Sequence, residues 1–273
     1  MPGENLTRLE AAERAANLKV HSYKVLLDLT TGEETFSSHT EVSFSATSGY
    51  SSFIDAITHS VEKVVLNGVE LDPAVVSDGI RISLPDLQAE NTLVISAHGK
   101  YSNSGEGLHR FVDPVDQEVY LYTQFEVPDS RRMFPVFEQP DLKAEFSFSI
   151  IAPDYWEVTS NQATPQAVKL DAGKARWDFA PTPRISSYIT ALIAGPYEKW
   201  TDSLQSTSGR TIPLGVFCRK SLAQFMDPEY IFEKTKEGFD FRIFDSPTAL
   251  HDEIRKKNQI NNKSRVVAGY CWN

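Results

Sequence analysis

Between about residue 20 and residue 200, apolar and polar residues alternate with a period of two in many short segments. In the segment YKVLLDL, the side chains of Tyr23, Val25 and Leu27 fall on one face, as in a half-buried β-strand. Val42 and Phe44 share a face in the same way within TEVSFSA. About ten such segments, with turns at intervals of roughly 8 to 15 residues, favour a mainly β fold, an antiparallel sandwich or saddle.

Two local motifs predict where elements begin and turn. Asn67 and Gly68 stand between apolar runs, which predicts a two-residue hairpin because both turn positions need a positive φ. Thr7 and Glu10 have the spacing of a capping box, followed by alanine-rich sequence. We therefore expect a helix over residues 5–17, before the first strand.

The pattern changes after Trp200. TDSLQSTSGR is rich in Ser, Thr and Gly and predicts a loop, whereas TIPLGVFCR predicts one more strand. Asp227 and Pro228 then indicate an N-cap and a first helical residue. The apolar face of this helix is formed by Phe232, Thr235, Phe239 and Ile243. We interpret the helix as the first helix of an incomplete second domain, with almost nothing of its own domain to pack against.

Composition excludes several classes of protein. The formal net charge is −10, from 27 basic and 37 acidic residues, which argues against a nucleic-acid partner. Cys218 and Cys271 are the two cysteines, too few for a zinc ribbon or a disulfide framework. The N-terminus lacks the apolar core of a signal peptide, and no apolar run has the roughly 18 residues of a membrane span. These features predict a cytoplasmic protein without a membrane partner.

The last stretch of the chain differs in charge. Residues 248–273 hold five basic and two acidic residues, whereas the whole chain is acidic. RVVAGYCWN at its end has the pattern of a buried strand. A change of sign at one point indicates either a tail or a join between unrelated sequences.

A group of polar residues follows the apolar strand EVYLYTQF. Gln124 and Glu126 lie two residues apart, so on a strand they point to the same face. A carboxylate beside an amide at the end of a strand can bind a cation and orient a polar group. The alternative is structural, with Glu126 paired to Arg131 or Arg132.

The following turn, SRRMFPVFEQP, is stiffened by Pro135 and Pro140. Its arginines can hold a neighbouring carboxylate or carbonyl oxygen. We predict that its apolar residues Met133, Phe134 and Phe137 belong to the core. No H-E-x-x-H helix, G-x-S-x-G elbow or P-loop occurs in the chain, so the residues alone predict neither a catalytic group nor a metal ligand.

The segment YLYTQFEVPDSRRMFPVFEQPDLKAEFSFSI resembles the N-terminal domain of the aminopeptidase N family, the zinc-dependent gluzincin exopeptidases. GLHRFVDPVDQEVYLYTQFE and FEQPDLKA resemble its actinobacterial lineage. PRISSYITALIAGPYE resembles the closing strands of that β domain, and EYIFEKTKEGFDFRIFDSP the first helix of the catalytic domain. The resemblance covers residues 5–247.

The resemblance implies an N-terminal β saddle followed by a thermolysin-like domain, with the Q-x-E motif in the cleft between them. Glu126 would then bind the free α-ammonium of a peptide substrate, and Gln124 would line the pocket for its first side chain. Such a chain would be the substrate-capping domain of an aminopeptidase that releases N-terminal amino acids with zinc as cofactor.

The chain also departs from that family. The G-A-M-E-N loop, H-E-x-x-H, the downstream glutamate and the tyrosine of the family are absent, and KKNQINNKSRVVAGYCWN resembles part of a helicase-like P-loop family. We therefore expect no bound zinc and no hydrolysis by this chain alone, and hypothesise a truncated or mis-joined reading frame. The expected divisions are an N-terminal helix (1–17), the β domain (18–200), a linker strand with the first catalytic-domain helix (201–247) and an off-family tail (248–273).

A second hypothesis assigns the chain to another class, a non-catalytic β-sandwich that binds a partner. Gln124 and Glu126 would then be purely structural. This hypothesis predicts a stable domain whose binding does not depend on a metal.

Overall fold

The computed structural model describes residues 4–206, 209–244 and 266–267, with the side chains of 240–244 and 266–267 excepted. Most of the predicted tail, including residues 248–265, therefore lies outside the described residues. The chain divides into two compact units. The first is formed by the described residues of 1–111 and 121–195, and the second by those of 112–120 and 196–273.

The described residues form the following elements. The strands are β1 (Leu18–Asp28), β2 (Thr35–Ala46), β3 (Ser52–Asp55), β4 (Ser60–Leu66), β5 (Val69–Leu71), β6 (Arg81–Leu84), β7 (Glu90–Lys100), β8 (Gly107–Val112), β9 (Val119–Gln124), β10 (Glu145–Pro153), β11 (Glu157–Ser160), β12 (Val168–Lys169), β13 (Lys174–Asp178), β14 (Leu192–Gly195), β15 (Glu198–Gln205), β16 (Thr211–Cys218) and β17 (Val266–Val267). The α-helices are α1 (Arg8–Asn17), α2 (Pro73–Val76) and α3 (Pro228–Phe244), and the 3-10 helices are Ser130–Arg132, Ser187–Ile189 and Lys220–Phe225. No helix in this described part is long and apolar enough to cross a membrane.

The first unit is built on an eight-stranded sheet with the order β12-β13-β10-β1-β2-β7-β4-β5. Its neighbouring strands are antiparallel except β1 and β10, which run parallel with Tyr23 opposite Phe146. A four-stranded sheet, β11-β14-β9-β8, and the pair β3-β6 complete the unit. The predicted fold class, mainly β with antiparallel sheets, is confirmed.

The core of the first unit follows the predicted alternation along β1 and β2. Tyr23, Val25 and Leu27 are buried, as are Val42 and Phe44 on the next strand. The Tyr23 ring stacks on Phe146 of the parallel neighbour, with ring centroids 4.7 Å apart. Aromatic stacking of this kind adds to the free energy gained from burying the two rings.

Both local motifs form as predicted. The Thr7 hydroxyl accepts a hydrogen bond from the Glu10 amide (3.2 Å), and the Glu10 carboxylate accepts one from the Thr7 amide (2.8 Å). This capping box starts α1 at Arg8, three residues later than expected. Asn67 and Gly68 have φ values of 52° and 81° and join β4 to β5 in a two-residue hairpin.

Helix α1 is held to the first unit by polar contacts. The side chain of Arg14 is buried, and its Nη1 donates to Asp55 Oδ2 across 2.8 Å. The guanidinium carbon of Arg14 lies 4.9 Å from the centroid of the Phe53 ring. One turn earlier, Glu10 accepts a 2.6 Å hydrogen bond from Arg81, and this bond lowers the pKa of Glu10 to about 2. The helix is therefore part of the packed unit.

The second unit contains a hairpin where the sequence predicted a loop. Residues 201–205 belong to β15, which pairs with β16 from Glu198 opposite Cys218 to Gln205 opposite Thr211. The loop prediction was wrong because Leu204 is the one buried residue of β15, so the strand shows no apolar alternation. Its backbone hydrogen bonds with β16 stabilise it instead.

Helix α3 packs on this hairpin. Asp227 Oδ1 accepts a hydrogen bond from the Tyr230 amide (3.0 Å), which confirms the predicted N-cap. The buried cluster of this unit consists of Leu204, Leu214, Val216 and Phe232. The expectation that the helix has almost nothing to pack against was therefore wrong, because the hairpin was not recognised. The predicted apolar position Ile243 lies outside the described side chains.

The Arg14–Asp55 ion pair generates a stability prediction. We expect Arg14→Met to lower the free energy of unfolding by about 3 to 5 kcal/mol, because it leaves the buried Asp55 carboxylate without its cation. Urea denaturation of the variant and of the wild-type chain measures this difference. Arg8→Met, at an exposed position of the same helix, is the matched control. A cost for Arg14→Met within about 0.5 kcal/mol of the control would contradict the assignment.

Candidate functional site

Strand β9 leads directly into the turn that carries the predicted site. The strand ends at Gln124, and Glu126 lies in a turn that covers residues 126–129. The expectation that both residues lie on one strand was therefore wrong: the Asp129 amide bonds back to the Phe125 carbonyl (3.1 Å), which curls the chain at this point. Phe125 is buried, whereas Gln124 and Glu126 on either side of it are exposed.

Neither Gln124 nor Glu126 has a side-chain hydrogen bond or ion pair with the residues that the structure describes. The structural alternative, a pair between Glu126 and Arg131 or Arg132, is therefore wrong within that part of the chain. Buried Arg131 is used elsewhere: its Nη1 donates to the Glu4 carbonyl and its Nη2 to Asn5 Oδ1 (3.0 Å).

The second arginine closes the far end of the turn. Arg132 Nε donates to Asp129 Oδ1 (2.7 Å), and its Nη2 donates to Glu4 Oε1 (3.0 Å). Glu106 Oε2 lies 3.8 Å from the same Nη2. Gly107 allows this approach, because its φ is 65° and a Cβ there would lie 2.9 Å from Arg132 Cβ. Both arginines therefore donate their hydrogen bonds to carboxylate or carbonyl oxygens other than those of Glu126.

The near end of the turn is fixed by the four-stranded sheet. In β9, Leu121 pairs with Ala194 and Tyr122 with Ile193 of β14. One residue further, the Thr123 hydroxyl accepts a hydrogen bond from the Leu192 amide (2.9 Å). Backbone pairing thus reaches Tyr122, and the side chain of Thr123 extends the contact with β14 to the residue before Gln124.

The segment after the turn, residues 130–139, is buried in the first unit except for the partly exposed Arg132. Met133, Phe134 and Phe137 are completely buried, which confirms their predicted place in the core. Val136 and Asp55 exchange two backbone hydrogen bonds of 3.0 Å, so the segment adds to the edge of β3. The polar groups of this segment must therefore find partners within the protein.

Glu138 is the carboxylate that satisfies several of those groups. Its Oε2 accepts hydrogen bonds from the Ser130 hydroxyl and from the Arg131 amide (2.8 Å), and its Oε1 accepts one from the Ser187 hydroxyl (2.5 Å). The Glu138 amide donates to Asp55 Oδ2 (3.0 Å). Burial raises the pKa of Glu138, although the three donors favour its charged form.

Sequence reasoning did not find Arg14, Asp55 and Glu138. Arg14 lies in an alanine-rich helix that reads as exposed, and the three residues are far apart in the chain. One signal was available for the acids: Asp55 is a single carboxylate within the apolar stretch FIDAI, and Glu138 directly follows the apolar stretch MFPVF. Such positions are rarely buried without a partner.

The described residues do not form a zinc site. They contain no group of three His, Cys, Asp or Glu side chains close enough to hold a metal ion. Glu126 and Gln124, the two candidate ligand-binding residues, are exposed and have no imidazole or thiol donor hydrogen-bonded to them among these residues. Their chemistry is that of an anionic and a polar uncharged group, suited to a cation or a hydrogen-bond donor.

Comparison with family models identifies the class of protein. The Peptidase M1 N-terminal domain model matches residues 19–189, which include Gln124, Glu126 and the segment 130–140. The chain therefore belongs to the Peptidase M1 N-terminal domain family. A second model, the Schlafen group 3 DNA/RNA helicase domain, matches residues 220–273. This match agrees with the helicase-like resemblance of the last residues, while the hypothesis of a join stays a prediction.

Individual relatives support the same family. The chain is 52% identical to an aminopeptidase N of Streptomyces lividans over 245 residues, covering 88% of this chain and 28% of that protein. It is 32% identical to an aminopeptidase N of Acetobacter pasteurianus over 185 residues, covering 60% of this chain and 50% of the relative. The chain thus spans half or less of the length of these two relatives.

A solved structure shows the same fold. The crystal structure of Legionella pneumophila aminopeptidase A in complex with aspartic acid superposes with a TM-score of 0.67 at 17% identity. The superposition covers 76% of this chain and 25% of the other. At this level of identity the likeness concerns the fold alone.

Proposed function

We propose that this chain is the substrate-capping N-terminal domain of a zinc aminopeptidase, an enzyme that releases N-terminal amino acids from peptides. Glu126 binds the free α-ammonium of the substrate, and Gln124 lines the pocket for its first side chain. The β domain corresponds to residues 18–200. The proposal is supported by membership of the Peptidase M1 N-terminal domain family and by relatives named aminopeptidases.

The observation that carries the proposal is the exposed carboxylate of Glu126, which has no side-chain partner among the residues that the structure describes. Two arginines lie five and six residues further along the chain, yet both donate their hydrogen bonds to other groups. Within the described part of the chain, the Glu126 carboxylate is therefore available for an incoming ammonium group. An ammonium-carboxylate hydrogen bond is charge-assisted and about twice as strong as a neutral one.

The turn that carries Glu126 is suited to this role because it is short and held at both ends. On one side β9 pairs with β14 as far as Tyr122 and the Thr123 hydroxyl accepts a hydrogen bond from the Leu192 amide, and on the other side Ser130 is hydrogen-bonded to buried Glu138. An exopeptidase must detect the end of a peptide at a defined distance from the scissile bond. A carboxylate on a fixed backbone satisfies that geometric requirement.

Gln124 is placed to contact the substrate beside Glu126. Its side chain is exposed at the end of β9, two residues before Glu126, and has no partner among the described residues. A glutamine offers both a donor and an acceptor, so it can contact a polar group of the substrate without adding charge. The charge of the pair then comes from Glu126 alone.

We propose that this chain does not hydrolyse peptides by itself. The 273 residues contain no H-E-x-x-H sequence, and the described residues form no group of metal ligands. The family is zinc-dependent in general, and the residues present here are proposed to bind the substrate and not the metal. The acidic net charge of −10 and the scarcity of cysteines support a cytoplasmic protein without a nucleic-acid partner.

The first prediction from this proposal concerns amine recognition. We expect the chain to bind L-leucinamide, a free-amine ligand, and to bind N-acetyl-L-leucinamide at least about tenfold more weakly, because acetylation removes the positive charge. Glu126→Gln should weaken the binding of L-leucinamide by about tenfold for the same reason. Chemical-shift titration of the isotope-labelled chain measures these affinities.

Glu145→Gln is the control for this measurement, because Glu145 is an exposed glutamate of β10 in the same unit. Its affinity should equal that of the wild-type chain. Equal binding of the free and the acetylated ligand, or no effect of Glu126→Gln, would contradict the proposal. That outcome favours the alternative of a β-sandwich that binds some other partner.

The second prediction concerns catalysis. We expect the purified chain, incubated with zinc, to show no turnover of an aminoacyl chromogenic substrate, since the family's zinc-binding motif is absent. The assay records release of the chromophore together with the zinc content of the protein. Turnover that disappears in Glu126→Ala would show that the chain contains a catalytic site of its own.

A further inference from the structure

We propose that Glu138 is a positioning residue for Glu126, in that its buried carboxylate fixes the turn from which Glu126 reaches the substrate ammonium group. This inference rests on the proposed function of Glu126. Glu138 does not touch the substrate in this account, and it acts through the backbone of residues 126–131.

Glu138 contacts the end of the turn directly. One carboxylate oxygen, Oε2, accepts hydrogen bonds from both the Ser130 hydroxyl and the Arg131 amide. These donors lie at the start of the 3-10 helix Ser130–Arg132, which follows the turn without an intervening residue. An acceptor at this place satisfies backbone and side-chain donors that would otherwise be unpaired in the interior.

The turn is a short length of chain between two hydrogen-bonded positions. Thr123 is hydrogen-bonded to Leu192 of β14, and Ser130 is hydrogen-bonded to Glu138, so six residues separate the fixed positions. Phe125 is buried within that interval, and its carbonyl accepts the Asp129 amide. If Ser130 is released, the backbone of Glu126 loses one of its two fixed ends.

Glu138 is itself held by hydrogen bonds to other parts of the first unit. Its second oxygen accepts a hydrogen bond from Ser187, at the start of the 3-10 helix Ser187–Ile189, and its amide donates to Asp55. Asp55 is in turn paired with Arg14 of α1. Glu138 thus links the end of the turn to the 3-10 helix Ser187–Ile189, to β3 and, through Asp55, to α1.

Glutamine can replace Glu138 without loss of these contacts. Its amide oxygen can accept from Ser130 and Arg131 in place of Oε2, and its amide nitrogen can donate to the Ser187 hydroxyl, which rotates to accept. Alanine at the same position leaves all three donors without their acceptor. Glu138→Gln therefore removes the negative charge but keeps the hydrogen bonds, whereas Glu138→Ala removes both.

The experiment is a titration of the isotope-labelled full chain with L-leucinamide. We expect Glu138→Ala to weaken binding by about tenfold and to shift the backbone amide resonances of residues 126–129. Glu138→Gln should bind within about twofold of the wild-type chain, since the acceptor is restored. Asn91→Ala is the matched control: Asn91 is also buried, makes three hydrogen bonds in the same unit and does not contact the turn.

The outcomes separate this inference from the proposed function. If Glu126→Gln weakens binding but Glu138→Ala does not, or if Asn91→Ala weakens it equally, the positioning role is overturned and the role of Glu126 stands. If the wild-type chain does not bind the ligand, both are overturned. Should Glu138→Ala fail to fold, Ser130→Ala removes a single donor, and unchanged binding in that variant also overturns the inference.

Discussion

The buried ion pair between Arg14 and Asp55 is the interaction on which the rest of the first unit depends. Asp55 accepts hydrogen bonds from the Arg14 guanidinium and from the amide of Glu138 with the same oxygen. An isolated carboxylate at this depth would be strongly destabilising, so each partner is needed to keep the other in the interior. The pair joins the N-terminal helix, the β3 strand and the segment after the site.

From this pair the constraints extend to the surface. Val136 is hydrogen-bonded to β3, and the Phe137 amide donates to the Tyr23 hydroxyl. Glu138 is the next residue, and its carboxylate accepts a hydrogen bond from Ser130. The exposed turn with Glu126 is therefore attached to the core through a continuous set of hydrogen bonds. A site that recognises a small cationic group benefits from such support, because misplacement of the charged partner directly weakens binding.

The sequence predicted what depends on local pattern. The alternation in β1 and β2, the hairpin at Asn67 and Gly68 and the capping box at Thr7 all formed, since each is determined by neighbouring residues. The strand β15 was missed because polar residues occupy most of it and its stability comes from pairing with β16.

At the site, too, local features could be predicted from the sequence and contacts between distant residues could not. Gln124 and Glu126 were singled out from the sequence, yet their shared strand face was an incorrect assumption because the chain turns after Gln124. The contacts of Arg131 and Arg132 with Glu4 and Asn5 join residues more than 120 positions apart, and no local pattern signals them. For the same reason the Arg14–Asp55–Glu138 network could be found only in the folded structure.

Native-state amide hydrogen exchange of the wild-type chain shows whether the segment behind the turn belongs to the core. The Arg131 amide donates to Glu138, and the Val136 and Glu138 amides donate to Asp55. We expect these three amides to exchange as slowly as those of β1. Their opening free energy should then equal that of global unfolding. Exchange of these amides by local opening, at rates typical of an exposed loop, would show that the segment is not part of the core.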